Sequence, residues 1–486
     1  METQALEKTF ATHDEFNRKP IAENIIKLLA SPIDLSPMVI DGGWGTGKTE
    51  FCQKLIQLMW RYSDYQPVYI DAFRTDHSGE PLLALLAEII KTCTPEDTDG
   101  QPSEKRKSFT KRIVKVAGFG IKTVFKAGTG YVLKQNTDDL IEKFRQIIND
   151  EQNAKNAAET ATGAAITFAD HSIDATVDAT VEALLKEQIE SEKNLETLKD
   201  CLKELAADKP IILFIDELDR CRPDYAVDML EVIKHVFDVE NVKVVLVTNT
   251  KQLRAAINHR YGMEVDAQKY LDKFLKYSFA LPDKVLDQNE VQTIVAVRYF
   301  EPLLKNSRIF NELKWLIENE KIKNFICDMI KRTNISLRET ERLVRFLEIY
   351  HSLSGGLSNK EQWEHILLVI TGIFIFCFHP DLIKNINKNH VDAGDFYQLF
   401  NIQILPKKPM DESNVNYADV IAMMFIMYGK GKDPIFAFQI SDQGYWRMHM
   451  NSLFLENGDL NYYGIDGVLS VLKDTFRLLS LKQMPQ

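Results

Sequence analysis

The amino-acid sequence predicts an α/β protein, with a parallel five-stranded sheet flanked by helices, a long and mostly helical insert, and an α-helical C-terminal region. Three observations support this prediction. Short apolar runs alternate with helix-like patterns in the first part of the chain, as in sheets whose strands are joined by crossover helices. A polar stretch of roughly a hundred residues separates the second and third apolar runs. From about residue 285 onward, apolar residues recur at the i, i+3, i+4 spacing of helices, which predicts helices at 287–304, 309–332, 336–353 and 360–378.

The strands are predicted from short runs of apolar and β-branched residues. The clearest is Ile211-Ile-Leu-Phe-Ile215, which is apolar at every position, as is typical of a parallel strand buried on both faces. The five predicted strands are residues 38–40, 67–71, 211–215, 242–247 and 277–281. The helices expected between and before them are residues 20–30, 48–60 and 81–92.

A glycine-rich loop follows the first predicted strand. It has the spacing Gly42-x4-Gly47-Lys48-Thr49, and a helical pattern starts at Glu50. Loop glycines allow successive backbone N–H groups to surround a polyphosphate, while the lysine adds positive charge and the threonine hydroxyl suits Mg²⁺. The sequence therefore predicts a P-loop that binds ATP or GTP with Mg²⁺. The residues expected to contact nucleotide are Gly43, Trp44, Gly45, Thr46, Gly47, Lys48, Thr49 and Glu50.

Two carboxylates end the third predicted strand. In a parallel sheet, Asp216 and Glu217 reach the same crevice as the loop. We expect Asp216 to hold Mg²⁺ together with Thr49, because Mg²⁺ prefers oxygen ligands. Glu217 is placed to orient and deprotonate the attacking water, and Lys48 to assist catalysis at the phosphates.

Other polar residues are candidates for contacts with the γ-phosphate. Asn249 ends the fourth predicted strand, although asparagine is also common in turns. Arg220, near the acidic pair, and Arg338, in a later helix, are expected to neutralise charge on the transferred phosphoryl group, in cis or in trans. Arg342, in the same helix, is a further candidate to neutralise this charge. Solvated charge on a helix face is the alternative for each arginine.

The insert contains an unusual basic segment, residues 111–134. Its lysines share one side of a helical wheel, and its apolar residues supply a second surface. Three interpretations remain open: attachment to an anionic membrane surface, pairing with a partner helix, or packing on its own domain. Residues 154–206 are expected to be helical, mostly as a surface appendage.

Composition restricts the function classes. The 486 residues are 45% hydrophobic and 27% charged, as in globular proteins. A net charge of −11 argues against a surface that coats nucleic acid. Six cysteines without a C-x-x-C pair, and an N-terminus without an apolar core, predict reduced thiols in the cytoplasm and no secretory signal. The apolar run 366–378 is shorter than the roughly 20 residues that span a bilayer, which favours a buried helix.

Four motifs resemble those of one family. The loop Gly42-Gly-Trp-Gly-Thr-Gly-Lys-Thr49 is similar to the G-x-W-G-x-G-K-T loop of the KAP P-loop NTPases, in which the tryptophan is unusual. Asp216-Glu-Leu-Asp-Arg-Cys221 resembles their D-D/E-L-D-R-C signature. Tyr270-Leu-Asp-Lys-Phe-Leu275 with Phe279-Ala-Leu-Pro282 resembles their Y-L-x-K and F-x-L-P stretch. Arg338-Glu-Thr-Glu-Arg342 is similar to their late R-x-x-x-R helix, a sensor-like element, and this family resemblance implies that Arg342 contacts nucleotide.

The resemblance covers about residues 14–350, including a segment, Asp14–Ala22, similar to the family's motif beside the adenine. It implies an ATPase of the additional-strand, catalytic-glutamate class, related to ATPases that act as switches or scaffolds. Many members carry transmembrane helices where this chain has its insert, but the lysines of 111–134 depart from a spanning pattern. The resemblance also links bacterial members to exclusion of phage.

The predicted organisation and function follow from these features. The expected parts are the first NTPase segment 1–94, the insert 95–209, the second NTPase segment 210–284, a helical lid-like domain 285–380 and a region of unassigned role 381–486. We expect an ATP-driven switch or assembly platform in phage defence, with ATP and Mg²⁺, a homo-oligomer or an effector protein as partner, and a cytoplasmic location. A motor that remodels nucleic acid or protein, and a scaffold peripheral at the inner membrane face, are the alternatives.

Overall fold

The structure is a computed structural model, and its described residues form two compact units. The first contains the chain up to Leu281 except residues 15–17 and 44–46, and the second contains those two stretches and the chain from Pro282 onward. The described residues are 9–62, 64–94, 193, 195–286, 292–358, 363–389, 392–402, 406–407, 415–428, 443–454 and 465–481.

A five-stranded, all-parallel sheet is the centre of the first unit. The strands are β1 (Met38–Asp41), β2 (Gln66–Asp71), β3 (Ile211–Asp216), β4 (Val242–Thr248) and β5 (Tyr277–Ala280). Their order is β2-β3-β4-β1-β5, which confirms the predicted parallel sheet. Asp71 pairs in register with Asp216, and Asp41 with Thr248. Four polar side chains therefore stand at the carboxyl edge of neighbouring strands.

Helices flank this sheet. They are α1 (Lys19–Ala30), α2 (Lys48–Tyr62), α3 (Ala72–Thr75), α4 (Pro81–Cys93), α5 (195–206), α6 (Pro223–Val236), α7 (Thr250–Tyr261) and α8 (Ala267–Leu271). Local signals set several helix starts. Prolines occupy the first positions of α4 and α6, where a missing N–H costs nothing. The Asn249 side chain caps α7 by accepting from the Lys251 N–H at 3.1 Å.

The insert is described only at its C-terminal end. There, α5 buries Leu198, Cys201, Leu202 and Ala206 in the core that covers one face of the sheet. The expectation of a surface appendage is therefore wrong for this stretch, because its apolar residues at helical spacing face the sheet. The predicted basic segment 111–134, and residues 154–192 of the predicted helical stretch, lie outside the described residues.

The second unit is mainly helical. A short antiparallel ribbon, β6 (Lys284–Leu286) and β7 (Gln292–Ile294), opens it. The helices are α9 (Val295–Lys305), α10 (Phe310–Glu318), α11 (Glu320–Thr333), α12 (Leu337–Ser354), α13 (Trp363–Phe378), α14 (Pro380–Asn387), α15 (Ala393–Leu399), α16 (Tyr417–Tyr428), α17 (Gln443–Phe454) and α18 (Ile465–Leu479).

Two predicted helices of this unit have different bounds in the structure. The helix expected at 287–304 begins at Val295, because residues 292–294 pair as β7 instead. The helix expected at 309–332 is two helices separated at Asn319. The Asn319 side chain accepts from the N–H groups of Lys321 and Ile322, and this cap starts a new helix although the apolar periodicity continues.

A large hydrophobic core lies in the second unit. The predicted apolar helix is confirmed as a buried one: α13 is buried along nearly its whole length and contacts α18. Residues beyond position 380, including Phe396, Phe425 and Trp446, belong to the same core. Among the described residues, every helix is too short or too polar to cross a bilayer.

The tight crossing of α13 and α18 gives a stability prediction. A Cβ atom on Gly372 would lie 3.0 Å from Thr475 Cγ2. Gly372→Val is therefore expected to lower the free energy of unfolding by about 1–3 kcal/mol through overpacking, measured by denaturant titration. Gly444→Val in α17 is the matched control, since a Cβ there meets nothing within 4 Å. Equal stability of the two variants would contradict the prediction.

Candidate nucleotide-binding site

The lysine of the glycine-rich loop is folded back onto the loop itself. Lys48 Nζ donates to the carbonyl oxygens of Gly42 at 2.6 Å and Gly43 at 2.9 Å, and the residue is 9% exposed. Burial lowers the pKa of Lys48, while the carboxylates of Asp219 and Asp216 oppose this shift. The ammonium group is thus held at the carboxyl edge of the sheet by neutral carbonyls, in the field of several carboxylates.

The loop and the acidic strand end lie at the same edge of the sheet. Asp216, which is 1% exposed, accepts from the Tyr69 hydroxyl at 3.1 Å and from the Glu217 N–H at 2.8 Å, and its interaction with the Thr49 side chain lowers its pKa. Burial raises the pKa of Asp216, and these hydrogen bonds and the charge of Lys48 oppose the rise. The loop after β1 and the carboxylate at the end of β3 therefore lie in the same part of the structure.

The oxygens of Thr49 and Asp216 fit a magnesium ion. The Thr49 side chain acts on the pKa of Asp216, and a hydroxyl and a carboxylate are hard oxygen ligands of the kind that Mg²⁺ prefers. Among the described residues, His, Cys, Asp and Glu form no group of three or more suited to a metal ion. A Mg²⁺ ion held by one carboxylate and one hydroxyl would take its other ligands from nucleotide phosphates and water.

Glu217, the expected base, follows Asp216 in a left-handed backbone conformation with φ of 60°. Its Oε1 lies 2.8 Å from Arg220 Nη2. Burial raises the pKa of Glu217, the charge of Arg220 lowers it, and the neighbouring Asp216 raises it further. Two residues predicted to be catalytic therefore contact each other directly.

Asn249 lies at the same edge of the sheet, at the end of β4. Its side-chain oxygen accepts from the Lys251 N–H, so this oxygen serves the cap of α7. The preceding Thr248 donates its hydroxyl to Asp219 Oδ1 at 3.1 Å. Glu50, in the first turn of α2, pairs with Lys54 at 2.9 Å. The expected contacts of Asn249 and Glu50 with nucleotide remain predictions.

The tip of the loop, residues 44–46, belongs to the second unit. There the Leu337 N–H donates to the Gly45 carbonyl at 3.0 Å. Gly45 has a φ of +77°, and a Cβ on it would lie 2.8 Å from Ser336 Oγ, so this position requires glycine. Trp44 is 52% exposed.

Arg338 and Arg342 both lie in the second unit, near the start of α12. Ser336 and Glu339 form a capping box there, which fixes the start of the helix. The Arg342 guanidinium stands 5.7 Å from the centre of the Phe346 ring. A Cβ on Gly45 would lie 3.0 Å from Arg338 Cβ, so Arg338 starts beside the loop tip.

Four residues of the site were not singled out from the sequence. They are Asp41, Tyr69, Asp219 and Thr248, which contribute the contacts of Asp216 and the surroundings of Lys48. Asp41 accepts from the Thr250 N–H at 2.9 Å. The available signal was position: each lies at or next to the carboxyl end of a predicted strand, where parallel strands deliver their side chains to one crevice.

Comparison with known proteins agrees with this geometry. The family model described as the KAP family P-loop domain matches residues 18–354. The chain is also similar to the Phage T7 exclusion protein of Escherichia coli (strain K12), with 22% identity over 273 residues. That match covers 55% of this chain and 33% of the relative, so the chain spans about a third of the relative's length. Since the family match extends over more than half of the sequence and includes both the loop and the acidic strand end, the chain belongs to the KAP family of P-loop NTPases.

Proposed function

We propose that this protein is an ATPase that works as a nucleotide-driven switch or assembly platform. The observation that carries the proposal is that the P-loop after β1 and the buried Asp216 at the end of β3 stand at the same edge of one parallel sheet. Binding of a triphosphate gives Lys48 stronger partners than the two carbonyl oxygens it now contacts, because phosphate oxygens carry negative charge.

Asp216 and Glu217 have different roles in the proposed reaction. Thr49 and Asp216 hold Mg²⁺, which when bound neutralises charge on the phosphates. Glu217 accepts a proton from the attacking water, whose oxygen bonds to the γ-phosphorus as the bond to the β,γ-bridging oxygen breaks. ADP then carries away the electron pair of the broken bond, and inorganic phosphate carries the water oxygen.

The helical unit is the proposed receiver of the nucleotide signal. Support comes from α12, whose first N–H group donates to Gly45 of the loop tip and which bears Arg338 and Arg342. We infer that these arginines respond to the γ-phosphate, and that the response changes which homo-oligomer contacts or effector protein the helical unit accepts. A ligand shifts such an equilibrium only by its differential affinity for the two states.

Titration of the purified chain with nucleotide tests the ATPase proposal. We expect ATP to bind in the presence of Mg²⁺ and to release phosphate, with weaker binding when Mg²⁺ is chelated. Calorimetry gives the affinity, and a phosphate-release assay gives the rate. GTP serves as the comparison nucleotide. Absence of ATP binding at millimolar concentration, in protein that unfolds cooperatively, would refute the proposal.

A phage-plating experiment tests the biological role. The proposal of antiphage defence draws on the similarity to a protein named for phage exclusion. Cells expressing the wild-type chain are expected to give fewer plaques on part of a broad phage panel, and Asp216→Asn is expected to remove this protection. Asp381→Asn, at an exposed position in the second unit, is the matched control. Equal plaque counts with and without the gene, in its native genetic neighbourhood, would contradict the defence role.

A further inference from the structure

Glu217 and Arg220 form an ion pair inside the first unit. Arg220 Nη2 lies 2.8 Å from Glu217 Oε1, and the arginine and glutamate side chains are 34% and 17% exposed. Ion pairs on solvated surfaces add little stability and need no function. Two features set this pair apart: the backbone conformation of Glu217 and the closeness of its turn to the P-loop.

The backbone of Glu217 is strained. Its φ of 60° and ψ of 23° lie in the left-handed region, which is unfavourable for a residue with a Cβ atom. Such conformations persist where the surroundings enforce them, and they occur often at functional sites. Here the Glu217 N–H donates to Asp216 Oδ1 at 2.8 Å, and the Glu217 carbonyl accepts from the Arg220 N–H at 3.1 Å.

The turn that carries both residues is anchored at several points. Leu218 is fully buried, Asp219 accepts from the Thr248 hydroxyl at 3.1 Å, and the Cys221 thiol donates to the Glu217 carbonyl at 3.7 Å. Because the backbone is held in this way, separation of the ion pair requires movement of only the two side chains.

The turn that carries Arg220 lies close to the P-loop. The neighbouring Asp219 accepts from the Thr248 hydroxyl at 3.1 Å, and the Thr248 carbonyl accepts from the N–H of Gly42, the first glycine of the loop, at 3.3 Å. Arg220 therefore stands near the loop that the proposed function assigns to the phosphates. A guanidinium binds phosphate oxygens in a bidentate manner, and a γ-phosphate presents more negative charge than one carboxylate.

We propose that Arg220 exchanges partners: it holds Glu217 when the nucleotide site is empty, and it moves to the γ-phosphate when a triphosphate binds, which frees the Glu217 carboxylate for the attacking water. This inference rests on the proposed ATPase function. Arg220 then contacts the γ-phosphate directly, and it affects the attacking water through Glu217. ADP lacks the γ-phosphate, so it leaves the ion pair closed.

A double-mutant cycle on nucleotide affinity tests the exchange. The variants are Glu217→Gln, Arg220→Gln and the double variant, and the probes are the non-hydrolysable imido analogue of ATP and ADP, each with Mg²⁺. In the exchange, Glu217 competes with the triphosphate for Arg220. Glu217→Gln is therefore expected to tighten binding of the ATP analogue by about tenfold in the wild-type background, and not in the Arg220→Gln background.

The ADP arm and a conservative variant separate exchange from a structural role. ADP affinity is expected to stay within about twofold across the cycle, because neither state of the ion pair favours ADP. Arg220→Gln is expected to weaken binding of the ATP analogue, and Arg220→Lys to restore part of it, since lysine keeps the charge without the bidentate fork. Arg61→Gln, an exposed position near the end of α2, is the matched control.

The outcomes distinguish this inference from the proposed function. Additive effects of the two substitutions on the ATP analogue, or equal effects on the analogue and on ADP, would overturn the exchange while leaving an ATP-binding wild type intact. A wild-type protein that binds neither nucleotide would overturn both. A cooperative thermal transition in every variant confirms that the comparison is made on folded protein.

Discussion

Glu217→Gln is expected to lower the rate of ATP hydrolysis by about 10²–10⁴-fold, the usual contribution of a positioned general base, while nucleotide binding is retained. Glutamine keeps the size of the side chain and its hydrogen bonding but cannot accept a proton at neutral pH. Asp216 and Lys48 remain in place in this variant, because Asp216 is held by the Tyr69 hydroxyl and a backbone N–H, and Lys48 by two loop carbonyls, rather than by the Glu217 side chain.

Single-turnover phosphate release, with protein in excess over ATP, measures this effect on the chemical step alone. Glu240→Gln is a suitable control, since Glu240 is an exposed glutamate just before β4, at the opposite edge of the sheet. If the Glu217→Gln variant retains ATP, gel filtration in the presence of ATP is expected to show a larger fraction of ATP-bound assembly for this variant than for wild type. Hydrolysis at the wild-type rate would show that another group accepts the proton.

The fold of the first unit could be predicted because its signals are local. The P-loop spacing needs only the residues from 42 to 49, and β3 is apolar at each of its first five positions and ends in an acidic pair. Five parallel strands follow from five apolar runs that alternate with helices, and the structure confirms them. The strand order and the register depend on contacts between distant segments, which periodicity does not report.

The surroundings of the buried carboxylate could not be predicted for the same reason. Tyr69 and Asp216 are 147 positions apart in the chain, and the hydrogen bond between them exists only because β2 and β3 pair in register. A tyrosine in an apolar strand is ordinarily read as a core residue. Its role as a donor to Asp216 depends on the strand pairing and on burial of the carboxylate.

The ion pair of Glu217 with Arg220 shows a different limit. The two residues are only three positions apart, yet we predicted separate roles for them. The left-handed conformation of Glu217 that accompanies their contact is rare for a residue with a side chain, so the sequence did not indicate it. A regular strand would place residues three positions apart on opposite faces. Asn319 is similar: its cap divides α10 from α11 within a continuous apolar pattern, so the cap rather than the periodicity decides the boundary.

Lys48→Ala is expected to reduce ATP affinity by about 100-fold or more, since loss of one charged partner in a desolvated contact costs about 2–5 kcal/mol. Lys48 is the buried cation of the loop, and its ammonium is balanced by the carboxylates of Asp216 and Asp219. Without it, the phosphates would approach these carboxylates uncompensated, so the loss includes added repulsion. Calorimetric titration with ATP and Mg²⁺ measures the affinity.

The comparison with Lys27→Ala separates this effect from loss of net charge, because Lys27 is exposed on α1 and its removal changes the charge of the protein by the same amount. Thermal unfolding without nucleotide provides the second check. In that state Lys48 donates to the carbonyls of Gly42 and Gly43, so its removal leaves two loop carbonyls without that partner. A variant that folds cooperatively and binds ATP as tightly as wild type would contradict the assignment of this loop to the phosphates. Tight ATP binding by Lys48→Ala would contradict this assignment whether or not Glu217→Gln slows hydrolysis, since hydrolysis requires that the triphosphate is first bound.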